Sequence, residues 1–191
     1  MSEAPKTLGP YRILESLNRS GSGALYSAVG RSGGGMVLLE VLPQRSVIDP
    51  ARLDREASAV RALSHPNVLP LLDVGRADDE TFLVHEFFDG KPLETLLKQR
   101  RFSLQEAIAA WKGICRGLQH AHARGVVHHD LAPRTVFASA DLQNIKLVGF
   151  GIGRSDEASS LSGTIATSDL KFGSVYYQAP EAIESAARLD V

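Results

Sequence analysis

A single cysteine, Cys115, excludes an intrachain disulfide and any metal site built from several thiolates. No apolar run approaches the ~20 residues of a membrane-spanning helix. The N-terminal MSEAPKTLGP lacks the charged, apolar and small-residue succession of a signal peptide. Basic residues form no long run, and 21 Lys and Arg stand against 22 Asp and Glu, so neither nucleic acid nor an anionic membrane is expected as a partner. What is present is ordinary for a soluble globular protein: 43% apolar and 23% charged residues over 191 positions, enough for one good-sized domain or two small lobes. A cytoplasmic protein is the expectation. Four of the six histidines, His120, His122, His128 and His129, lie close together. A helix end followed by a functional loop accounts for them better than metal ligation.

The first half reads as strands and the second as mostly helix. YRILESL (11–17), GALYSAV (23–29) and MVLLEVL (36–42) are β-compatible runs, and the glycines of RSGGG (31–35) suit a hairpin turn. DPARLDREASAVRAL (49–63) predicts a helix with Asp49 as N-cap, Pro50 at its first position and an inward stripe of Leu53, Glu56, Ala57 and Val60. Strands are expected at VLPLLDV (68–74) and TFLVHEFF (81–88), separated by the turn RADDE. The period then becomes helical at PLETLLKQ (92–99) and at 103–125. Ser103 with Glu106 forms a capping box, Leu104, Ile108, Trp111, Cys115 and Leu118 an apolar stripe, and Gly125 a stop. Short strands flank the loops at 126–138 and 144–148, and 149–180 reads as a long Ser/Thr-rich loop.

Five strands with one helix between the third and fourth, then a helical lobe, is the order of the protein kinase fold. YRILESLNRSGSGALYSA resembles its glycine-rich loop, MVLLEVL its VAIK strand, and REASAVRALSHPNVLPLLDVG its αC helix and following strand. FLVHEFFDGKPL resembles the hinge, VVHHDLAPRTVF the HRD catalytic loop, IKLVGFG the DFG segment and GSVYYQAPE the APE motif. The chain thus resembles a eukaryotic-like Ser/Thr protein kinase of the kind common in bacteria. The resemblance implies an α+β two-lobe fold: a tail at 1–10, an N-lobe at 11–88 with a five-stranded antiparallel sheet and one helix, and a mainly helical, incomplete C-lobe at 89–191. Fold and activity separate at individual residues, so the chemistry is read position by position.

Phosphoryl transfer requires ATP to be held, its charge neutralised by Mg²⁺, and a hydroxyl oriented. Of the three glycines that cover the phosphates, the matching positions are Asn18, Ser20 and Gly23, so only the third remains. The strand lysine is Glu40, facing the αC glutamate Glu56. Two carboxylates about 4 Å apart at an effective dielectric near 20 repel by about 4 kcal/mol, so the pair is expected to splay, share a proton or recruit a cation. The DFG aspartate is Gly149, the catalytic-loop asparagine is Thr135 and the catalytic-loop lysine is Ala132. Both expected Mg²⁺ sites are therefore incomplete, and no metal site is assigned. Asp130 matches the aspartate that orients the substrate hydroxyl and is the one catalytic-position residue retained. In the nucleotide cleft, Gly23, Leu25, Leu38, Glu56, Glu86, Phe88 and Phe137 take the matching positions. Leu38 replaces a small alanine and Phe137 a leucine, so the two are expected to fill the adenine slot from opposite sides. Val60, Leu71, His128 and Phe150 match the stacked spine that aligns the lobes.

The residues that make the shape remain while those that make the chemistry are replaced. The expectation is a catalytically inactive kinase-like domain, a pseudokinase, with no cofactor, regulating or scaffolding through a protein partner or self-association. One alternative is a weak or divergent Ser/Thr kinase that uses Asp130 with ATP and Mg²⁺. Another is a non-functional fragment, since the chain stops at Val191, about where the family's central helix begins. That stop leaves the 104–118 stripe short of cover. Ser155, Ser159, Ser160, Ser162, Thr164, Thr167 and Ser168 are candidate phosphorylation targets.

Overall fold

The computed structural model describes residues 7–20, 23–31, 33–42, 50–77 and 79–150, together with residues 152 and 177. The Asp49 cap, the Ser/Thr cluster at 155–168 and the Ala179–Glu181 motif lie outside these.

Six strands form an antiparallel sheet in the order β1-β2-β3-β4-β6-β5: β1 (Thr7–Leu8), β2 (Tyr11–Ser20), β3 (Gly23–Gly30), β4 (Met36–Val41), β5 (Leu71–Ala77) and β6 (Glu80–Glu86). The expected five are present, with a two-residue strand added at the edge as Thr7 and Leu8 pair with Arg12 and Tyr11. β5 begins later than expected because Pro70 has no N–H for a ladder. Val68 instead bridges in parallel to Leu147, and the turn into β6 tightens around Asp79, which adopts a φ of 62°.

Strand alternation decides what reaches the cleft. Leu39 and Val41 of β4 join Tyr26, Ala28, Phe82 and Val84 in a cluster on one face of the sheet. The residues between them, Leu38 and Glu40, therefore point to the opposite face, as do Leu25 of β3 and His85 of β6. That face meets α1 (Pro50–Arg61), whose Leu53, Ala57 and Val60 are buried. They belong to the main core with Leu71, Leu83, Leu147 and Phe150.

The second half contains β7 (Lys91–Pro92), α2 (Leu93–Gln99), α3 (Leu104–His122), β8 (Val136–Ala138) and β9 (Ile145–Leu147). The three strands form a small antiparallel sheet. At the start of α3 the Ser103 hydroxyl accepts the Glu106 N–H at 3.3 Å and the Glu106 carboxylate accepts the Ser103 N–H at 2.8 Å. Gly125, at a φ of 69°, ends the turn that follows.

Of the apolar stripe of α3, expected to be short of cover, only Leu118 packs against the main core. Leu104, Ile108, Trp111 and Cys115 are exposed, Trp111 by 65%. The buried positions are Ala110, Gly113, Gly117 and Ala121. A Cβ on Gly113 would come within 2.8 Å of Ile145, and one on Gly117 within 2.8 Å of both the Asn67 carbonyl and Leu147. Small residues let α3 seat directly on β9, which larger side chains would prevent. No helix among the described residues is long and apolar enough to cross a membrane.

Candidate functional site

The nucleotide-cleft positions lie on β3, β4, α1, the segment 86–88 and β8, and several of them share one apolar cluster. Leu38 and Phe137 are fully buried and belong to one cluster with Leu25, Leu69 and Val148, against which Leu17, Phe87 and Phe88 pack. The adenine-slot positions from both lobes are thus packed within a common apolar cluster. Glu86 is exposed and its N–H donates to the Pro70 carbonyl at 3.0 Å, while Gly90 N–H closes a turn on the Phe88 carbonyl at 2.9 Å. Gly23 opens β3 opposite Ser20.

Glu40 and Glu56 each have a basic partner. The Glu40 carboxylate lies 3.2 Å from His85 Nε2, a diagonal cross-strand neighbour in the β4–β6 ladder. An ionised carboxylate can only accept, so Nε2 carries the proton. Nδ1 of the same ring is buried with no hydrogen-bond partner among the described residues. On α1, the Glu56 carboxylate accepts from Arg52 one turn earlier at 2.7 Å. Each carboxylate of the expected pair thus has a basic side chain within hydrogen-bond reach, Glu40 from β6 and Glu56 from its own helix.

Gly149 sits at a φ of 74°, and a Cβ built there would lie 3.5 Å from Glu40 Oε1 and 3.1 Å from Thr135 Cγ2. The carboxylate absent at 149 is therefore matched by one that arrives from β4. Thr135 turns its hydroxyl back on its own loop, within 3.0 Å of the Asp130 and Ala132 carbonyls and 3.1 Å of the Ala132 N–H. Asp130 is ion-paired with Arg134, four residues on in the same loop, and both side chains are only 10% exposed. Ala132 is buried in the same loop.

The stacking residues are brought together. His128 lies against Phe150 with ring centroids 4.6 Å apart, and its Nδ1 accepts the Asp130 N–H at 3.3 Å. Burial lowers the His128 pKa to about 4, against smaller raising effects from Asp130 and Glu40. The ring is neutral at physiological pH. His129 is exposed, at a φ of 58°.

Two pairings escaped the sequence reading, Arg134 with Asp130 and His85 with Glu40. Arg134 carried a signal, its four-residue spacing from Asp130. His85 was visible only as a polar residue in an apolar strand, and its link to Glu40 needed the β4–β6 register.

At the positions where the family holds a magnesium nucleotide, three features differ from a hard-oxygen site. The hydroxyl at 135 is engaged with its own loop, position 149 has no side chain, and the carboxylate beside it is bonded to His85. No group of three or more His, Cys, Asp or Glu suited to a metal occurs among the described residues.

The protein kinase domain family matches residues 11–190. A probable serine/threonine-protein kinase PknB of Lactococcus lactis is 34% identical over 176 residues, covering 90% of this chain and 27% of its own length. Serine/threonine-protein kinase PknD of Mycobacterium tuberculosis is 34% identical over 179 residues, covering 91% and 26%. The chain thus spans about a quarter of the length of these relatives. Among solved structures, a double mutant of the Mycobacterium tuberculosis PknI kinase domain aligns with a TM-score of 0.69 at 26% identity, covering 86% of this chain and 70% of that one.

Proposed function

The chain belongs to the protein kinase family, and from that premise we propose that it keeps the kinase shape as a regulatory or scaffolding protein-binding module without phosphoryl transfer, a pseudokinase. The observation that carries the reading is the state of the adenine slot. Leu38 and Phe137, one from each lobe, are fully buried in a common apolar cluster, so a purine would have to displace side chains that already fill the space. The carboxylate of Glu40 beside Gly149 adds repulsion where phosphates would lie.

The kinase reading rests on Asp130 and on relatives named as Ser/Thr kinases. It would require Asp130 to leave Arg134 before it could orient a hydroxyl. A cytoplasmic location and contact through a protein partner or a second copy belong to the same proposal.

A thermal-shift titration with ATP, with and without Mg²⁺, tests it. Ligand at 100 times its dissociation constant adds about 2.7 kcal/mol, which raises the melting temperature of a chain this size by roughly 5–10 °C. No shift is expected. A Mg²⁺-dependent rise, or phosphate transfer abolished by Asp130→Ala, would overturn the reading.

A further inference from the structure

Along α3, Lys112, Arg116 and His120 recur every fourth residue, and Arg124 continues the row just past the helix end. Residues so spaced stack along one side of a helix. At a rise of 1.5 Å per residue each step is about 6 Å, and the row spans about 18 Å. Lys112, Arg116 and Arg124 are exposed, and among the described residues none is ion-paired with an acid.

The end of the row is organised. Arg124 Nη1 lies 3.2 Å from His120 Nδ1 and 3.3 Å from the His120 carbonyl. A guanidinium only donates, so Nδ1 is the lone-pair nitrogen of that ring. His65, from the turn after α1, stacks on His120 with centroids 4.8 Å apart and accepts the Asn67 N–H at 3.1 Å. Lys146 of β9 acts on His65 as a further cation. Burial holds the His65 pKa below its ordinary value, followed by His120 and then Arg116, Lys146 and Arg124, and no carboxylate acts on it. Like charges four residues apart weaken a helix. Arg124 closes the helix end on His120, but Lys112 and Arg116 have no acid partner among the described residues, so an external anion is their natural counterpart.

We propose that Lys112, Arg116 and Arg124, with His120 holding Arg124 in place, dock an extended acidic protein segment with carboxylates at alternate positions. Alternate side chains of an extended chain project on one side about 6.6–6.8 Å apart, close to the step of the row. Net charge decides between classes of polyanion. The chain carries 22 acids to 21 bases, which disfavours long-range attraction of nucleic acid and leaves a local contact with a short acidic peptide. The proposal deepens the protein-binding reading by naming a partner chemistry, and none of its residues lines the nucleotide cleft.

The test is fluorescence anisotropy of the full chain with a labelled octapeptide of alternating Glu and Ser. One variant combines Lys112→Gln, Arg116→Gln and Arg124→Gln. A control removes three exposed cations elsewhere, Arg12→Gln, Arg76→Gln and Lys91→Gln. Wild type and control should bind alike, with affinity falling as salt rises, and the row variant should bind about ten-fold more weakly. The row variant should melt close to wild type, since the Arg124 bonds to His120 that are lost offset the repulsion that is removed. No binding by wild type, equal weakening in the control, or full binding by the row variant would overturn the proposal. Tighter binding of a single-stranded oligonucleotide of equal charge would overturn the partner class. Each of these outcomes is independent of the ATP titration, so the two readings fail separately.

Discussion

Restoring the missing aspartate should harm this protein, and the harm should depend on Glu40. In Gly149→Asp the new Cβ would lie 3.5 Å from Glu40 Oε1 and 3.1 Å from Thr135 Cγ2, on a backbone with a φ of 74°. Two carboxylates 4–5 Å apart repel by about 3–4 kcal/mol at an effective dielectric near 20. The Glu40 side chain is 19% exposed, and that solvent access reduces the repulsion to about 2–3 kcal/mol. The left-handed backbone adds about 1 kcal/mol for a residue with a side chain. Glu40→Lys alone leaves the buried His85 Nε2 proton without its acceptor, at a cost of about 1–3 kcal/mol. In the double variant the repulsion becomes attraction. Its stability should exceed the sum of the single effects by about 3 kcal/mol, read as a double-mutant cycle from urea midpoints at constant m-value. Additivity within about 0.5 kcal/mol would show that the two positions do not meet, and the argument would fail. The double variant should still transfer no phosphate, because Ala132, Thr135 and the Leu38–Phe137 cluster are unchanged. Measurable kinase activity would show that those three count for less than argued.

Two further perturbations probe the packing. Leu38→Ala removes a fully buried side chain and should cost about 2–5 kcal/mol, and adenosine should then raise the melting temperature of the variant but not of wild type; an unchanged melting temperature on substitution would show that Leu38 does not fill the slot. His128 has a folded pKa of about 4 against an ordinary 6.5, so its contribution is complete above pH 6.5 and is lost as pH falls toward 4, about 3 kcal/mol in all. His128→Asn, which keeps an acceptor for the Asp130 N–H, should flatten the stability profile over that interval relative to wild type, and parallel profiles would contradict the buried neutral ring.

Much of the fold was legible because local chemistry and tertiary packing agree at its punctuation. The glycines of 33–35, the Ser103–Glu106 box and Gly125 each mark a boundary through backbone geometry or a side-chain bond within a few residues. The face of α3 was not legible. Large apolar residues carry the periodic signal, yet Gly113 and Gly117 make the closest contact because they have no Cβ, and such residues are silent in a hydrophobicity pattern. At the site, the substitutions at 40, 132, 135 and 149 could be read from motif spacing. Their partners could not: Arg52 for Glu56 lay within one helix, but His85 for Glu40 required strand register across 45 residues.

The turn after α1 has a mechanical consequence. Asn67 donates through its side chain to the Ile145 carbonyl at 2.9 Å, its own carbonyl accepts Leu147 N–H at 2.9 Å, and Leu69 N–H returns to the Leu147 carbonyl at 2.9 Å. The chain leaving α1 is thus spliced into the small sheet before it enters the large one. A load applied to β9 or α3 passes to α1 through three hydrogen bonds in series with a rigid ladder. Rotation between the two sheets must then be taken up at 87–90, with the splice as its fixed pivot.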